Sequence, residues 1–103
     1  VIVYEVTVEV RPDLAAGYLE FMRDRHIPQI LATGCFQWGE MHQAGPGLFR
    51  QRYLAIDRAA LDRYFTDHAP AVRQDFQTHL PEVVSLSRAE WRELGHWNAP
   101  SGP

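Results

Sequence analysis

Twice in this sequence an amphipathic run reaches a histidine, takes one more residue and meets a proline: "FMRDRHIP" closes at Pro28 and "RYFTDHAP" at Pro70. Imidazole titrates near neutral pH and can take up or release a proton there. Proline has no amide hydrogen, so a helix that meets one leaves a carbonyl about a turn earlier without its partner. His26 is therefore read in two ways. It is the leading candidate for a general base at the rim of a cavity between helices and sheet, or its ring bonds the freed backbone near Asp24 and stitches a kink. His68 sits mid-way along an apolar stripe and is either a buried neutral ring or a ligand contact. His79, nearer a helix end, suits the negative end of the helix dipole, and His42 and His96 read as surface or strand-end residues.

Other side chains able to do chemistry fall nearby. Gln51 and Tyr53 alternate with Phe49, so if that face meets the helices an amide and a phenol enter the core and need partners. Tyr53 with His26 would make an acid/base pair suited to enolisation or ring closure; a buried hydrogen bond is the plainer reading. Arg73, one turn past Pro70, could grip a carboxylate by two parallel bonds, or pair with Asp67, Asp75 or Glu82. Trp38 could wall a flat ligand, or simply pack on a half-buried strand. The ligand-contact candidates are thus Trp38, Gln51, His68 and Arg73. No HxxxH, HExxH or CxxC spacing occurs, so no metal site is expected. Cys35 has no base beside it, "GPG" at 45–47 is a turn, and no phosphate loop or other cofactor signature is present.

The elements that must position these residues are legible in the periodicity. "VIVYEVTVEV" alternates, with Ile2, Tyr4, Val6, Val8 and Val10 on one side, and reads as a strand. Asp13 is placed as the cap of a helix on which Leu14, Tyr18, Phe21 and Met22 recur at helical spacing. That helix is expected to kink or stop at Pro28, with "PQILAT" restarting a short turn and Gly34 ending it. "CFQWGEMHQ" reads as a strand with Phe36, Trp38, Glu40 and His42 on one side. "AGPG" is the hairpin turn and "LFRQRYLAI" the return. Asp57 caps a second helix whose stripe runs Leu61, Tyr64, Phe65, His68, Val72, Phe76 and His79, bent at Pro70. "LPEVVSLSRAEWREL" is extended again, and residues 95–103 form a loose tail.

The order β-α-β-β-α-β predicts an α+β, ferredoxin-like domain over residues 1–94: a four-stranded antiparallel sheet with two helices on one face. The two proline corners then fall at corresponding points of the two halves. The other face carries Val1, Val3 and Thr7 beside Glu5 and Glu9, a mixed surface suited to a second copy, so a homodimer is expected. A formal net charge of -3 and the absence of lysine argue against a nucleic-acid partner. No run is long and apolar enough to span a membrane, and a single cysteine suits a reducing cytoplasm.

"YEVTVEV" (Tyr4–Val10), "HIPQILATGCF" (His26–Phe36), Tyr53 and "APAVRQ" (Ala69–Gln74) together resemble DUF4286, a small family of dimeric α/β-barrel type. The "HxP" corner is also similar to that of other dimeric α/β-barrel groups, which include monooxygenases, haem-degrading enzymes, lactone isomerases and polyketide cyclases. The resemblance implies the fold and a pocket between sheet and helices, and names no reaction. The expected function is binding of a small, mostly apolar molecule in that pocket. Two alternatives stand beside it: a cofactor-independent isomerase, cyclase or monooxygenase with His26 as base, and a non-catalytic interaction module presenting Trp91 and Trp97. A haem-degrading role is disfavoured, because the only asparagine, Asn98, lies in the tail.

Overall fold

The alternation of the first ten residues becomes strand β1 (Ile2–Val10) at the centre of the sheet. The computed structural model describes residues 1–80 and 82–102. Pro81, inside the stretch read as extended from Leu80, and Pro103, at the end of the tail, lie outside the described residues. A 3-10 turn at Pro12–Leu14 leads into α1 (Ala15–Phe21), and α2 (Ile27–Ala32) follows. Then come β2 (Trp38–Gln43), β3 (Leu48–Ala55), α3 (Arg58–Arg63), α4 (Ala69–His79) and β4 (Val83–Arg92). All pairings are antiparallel in the order β2-β3-β1-β4, with both helical arms on one face. This is the ferredoxin-like fold.

Neither proline ends its helix. Residues Met22–His26 join α1 to α2, and residues Tyr64–His68 join α3 to α4, each as one turn of the wider π form. The Ile27 amide donates to the carbonyl of Met22, and the Ala69 amide to that of Tyr64, five residues back in each case. The wide turn moves the preceding carbonyls off the proline ring, so each arm absorbs its proline without breaking. It has a second effect. Tyr18, Met22, His26 and Ile30, spaced every four residues, are all buried. On a plain α-helix that stripe would drift by about 40° per step, and the wider turn takes up the drift. The expected kink is thus a π turn, and it aims the His26 ring at the sheet.

Several local expectations need correction. Asp13 caps nothing: its carboxylate is taken by Arg11 at 3.0–3.2 Å. Asp57 does cap α3, accepting from the Ala60 amide at 2.9 Å, and Gly34 takes the left-handed conformation at φ 76°. Phe36 and Trp38 do not share a side. Phe36 precedes β2 and enters the core, whereas Trp38 lies opposite Leu54 on the face away from the helices. At the hairpin, a Cβ on Gly47 would run into the Val10 carbonyl, whose own amide donates to the Gly47 carbonyl at 2.8 Å. Only glycine fits that approach.

Candidate ligand-binding site

On β3 the inward positions Phe49, Gln51, Tyr53 and Ala55 are all buried. The Tyr53 ring lies over Gly39 of β2, where an added Cβ would sit 3.1 Å from it. A glycine in the strand thus makes room for a phenol. Above this surface the arms leave a cavity of about 420 Å³ between helices and sheet, within the range of small-molecule sites. His26, Gln51, Tyr53 and Arg73 all line it. Buried His26, Gln51 and Tyr53 form its floor, and exposed Gln77 and Arg88 mark its mouth.

The polar groups of the floor differ in how they are satisfied. Gln51 donates from Nε2 to the Tyr18 hydroxyl at 2.7 Å. His26 Nδ1 and the Tyr53 hydroxyl are buried with no hydrogen-bond partner among the described residues. The stitching bond envisaged for His26 is not formed; its ring instead packs on Phe76 and Phe21, at centroid distances of 5.1 and 5.8 Å. Burial pushes the His26 pKa down to about 4, with the Asp75 carboxylate pulling weakly the other way. The imidazole is therefore a neutral free base at neutral pH. Burial, reinforced by the phenols of Tyr64, Tyr18 and Tyr4, holds the Tyr53 hydroxyl well above its ordinary pKa, so it remains a proton donor. A ring nitrogen and a phenol, both unpaired, thus belong to two residues that line one cavity. Over His26 the two arms are tied by Arg25, which donates to both Asp75 oxygens at 2.9 and 2.6 Å.

Arg73 pairs with none of the acids proposed for it. It reaches the Tyr4 hydroxyl at 3.5 Å and lies 5.8 Å from the centre of the Phe65 ring. Trp38 and His68 do not line the cavity. Trp38 is on the opposite face of the sheet, and His68 ends the second π turn half-buried. Several lining residues escaped the sequence reading, Gln77 at the mouth among them. Tyr64, counted only as core, and Arg88, facing inward opposite Val6 on the edge strand, both contribute. Among the described residues no group of His, Cys, Asp and Glu could hold a metal ion, and no helix is long and apolar enough to cross a membrane.

Comparison with solved structures extends the fold assignment. A protein of unknown function from Nitrosomonas europaea superposes with a TM-score of 0.73 at 14% identity, over 98% of this chain and 95% of that one. SnoaB, a cofactor-independent oxygenase from Streptomyces nogalater, gives 0.72 at 9% identity, over 92% and 94%. An antibiotic biosynthesis monooxygenase gives 0.70 at 14%, over 92% and 100%. At such identities the likeness carries the fold alone. No curated protein matches the chain. The model of one family, described as a domain of unknown function, covers residues 1–93, and the chain therefore belongs to that family, DUF4286.

Proposed function

We propose that the protein is a homodimer that holds a small, mostly apolar molecule in the cavity between sheet and helices. One observation supports this reading: two residues that line the cavity, His26 and Tyr53, each carry a buried polar atom, Nδ1 and the hydroxyl, that nothing among the described residues satisfies. Each such group costs about 1–3 kcal/mol, and a bound molecule bearing a hydroxyl or carbonyl would repay both. The lone thiol of Cys35, free and buried, suits a cytoplasmic setting. The test is calorimetric titration with 1-naphthol. Binding is expected in the wild type and is expected to vanish in Val6→Trp, which fills the cavity from β1. Equal binding by a folded Val6→Trp protein would move the site elsewhere.

A second reading follows from the chemistry of the same two atoms. A neutral imidazole accepts a proton and a protonated phenol donates one, the pairing needed to enolise a substrate without a cofactor. A base with a pKa near 4 is weak, so such a substrate must carry an acidic C–H, as between two carbonyls. SnoaB, described as a cofactor-independent oxygenase, is a precedent on this fold. For this reading, His26→Ala abolishes turnover of such a substrate while circular dichroism is unchanged; retained turnover sinks the catalytic role and leaves binding intact.

A further inference from the structure

The arginines of this chain divide into two groups. Arg11, Arg25, Arg50, Arg52 and Arg58 each lie within 4.0 Å of a carboxylate. Arg23, Arg63, Arg73, Arg88 and Arg92 have no such partner among the described residues, and of these five Arg73 and Arg88 line the cavity. No aspartate or glutamate lines it with them. A chain with a formal net charge of -3 therefore keeps two uncompensated guanidinium groups at one mouth. They come from separate elements: Arg73 from α4, half-buried between Tyr4 and Phe65, and Arg88 from the edge strand β4. Tyr64, buried in the second arm, lines the same cavity as both of them.

We infer that the molecule held in this cavity is an aromatic or fused-ring acid, its rings lying among the tyrosines and Phe76 and its carboxylate gripped at the mouth by Arg73 and Arg88. The inference rests on the cavity being the binding site, as proposed above, and adds the class of ligand. Polarity within the cavity dictates the orientation. The cations stand at the open end, where a carboxylate keeps part of its hydration, and the neutral His26 and Tyr53 stand at the closed end, where a ring hydroxyl or carbonyl can meet them. Guanidinium forks bind carboxylates through paired, charge-assisted bonds, and Arg73 is already oriented by the Tyr4 hydroxyl. The electrostatic pull acts over a short range and is weakened by salt.

Calorimetric titration with 6-hydroxy-2-naphthoate, whose hydroxyl and carboxylate stand at opposite ends of the rings, and with its methyl ester separates the two levels of the proposal. The wild type is expected to bind the acid at least about tenfold more tightly than the ester, and added salt to weaken the acid only. Arg88→Gln, on the exposed strand, should remove part of that preference. Arg73→Gln combined with Arg88→Gln should remove all of it, so that acid and ester bind that protein equally. Equal affinity for acid and ester in the wild type overturns the inference and leaves an apolar binding cavity standing. Binding of neither probe overturns both. Retention of the acid preference in the folded Arg88→Gln protein and in the double variant would place the anion elsewhere and overturn the assignment.

Discussion

Lowering the pH from about 7 to about 4.5 is expected to cost the protein about 2 kcal/mol of stability through His26 alone. The ring's folded-state pKa is about 4 against an ordinary value of 6.5. Between those values the unfolded chain carries a proton on His26 that the folded chain does not. Stability therefore rises with pH across the window, is complete above about 6.5, and is lost progressively as the pH falls toward 4. The cause is burial, which the nearby Asp75 carboxylate only partly offsets. Asp13 and Asp75, held low by Arg11 and Arg25, release their own contributions below 3.8, outside the window. Urea melts across this range should show the slope in the wild type and not in His26→Phe, whose ring suits the contacts with Phe21 and Phe76. At neutral pH His26→Phe should be as stable as the wild type or more so, since an unsatisfied buried nitrogen disappears. An unchanged slope would mean that the imidazole meets water. Retaining such a group against the chain's own stability is what a binding or reacting site requires.

The order of elements was readable because each carries its own period. Alternation fixes β1 and β3, and with them the inward direction of Gln51 and Tyr53. The four-residue recurrence of Tyr18, Met22, His26 and Ile30 holds the direction of the imidazole as well, but only once a π turn is admitted. Proline rules alone describe a stopped helix, because they treat the turn before the proline as fixed at 3.6 residues. Trp38 was misplaced relative to Phe36 because the strand starts after Phe36, and alternation cannot be counted through a loop. Arg88 was invisible for a different reason. It enters the site through the pairing of β4 with β1 at Val6, a contact between distant parts of the chain that no local pattern records. His68 shares the stripe of its arm and still stops short of the cavity, which takes Tyr64 from the start of the second π turn and Val72, Arg73 and Phe76 from α4 but not the end of that turn.

Leu54→Glu is expected to turn the proposed dimer into a folded monomer. On the face of the sheet away from the helices, Trp38, Leu54, Val3 and Trp91 are successive partners across all four strands. Trp38 and Trp91 are exposed, at 37% and 53%. The next row, Glu40, Arg52 and Glu5, is an ion-pair ladder with separations of 3.3 and 3.7 Å. An antiparallel sheet that met water on this side would carry polar residues throughout. Here the charged row is balanced once Arg50 joins Glu5 at 3.9 Å, and the apolar row leaves both of its tryptophans exposed, which is the pattern of a surface awaiting a complementary one. A second copy fits best, since a two-fold pairing lays each apolar row on its equivalent without requiring a partner of different sequence. Leu54 lies in the interior of the row, flanked by Trp38 and Val3, where a buried, unpaired carboxylate costs about 3–5 kcal/mol. That corresponds to at least about a hundredfold in the dissociation constant. Sedimentation should therefore find a dimer for the wild type and a monomer for Leu54→Glu, each with the same circular dichroism. Arg23→Glu, on the exposed side of the first arm, should stay dimeric. A wild type that sediments as a monomer, or a Leu54→Glu protein that remains a dimer, would remove this face from the assembly. The cavity, which lies on the other side of the sheet and is lined by residues of one chain, would be untouched by either result.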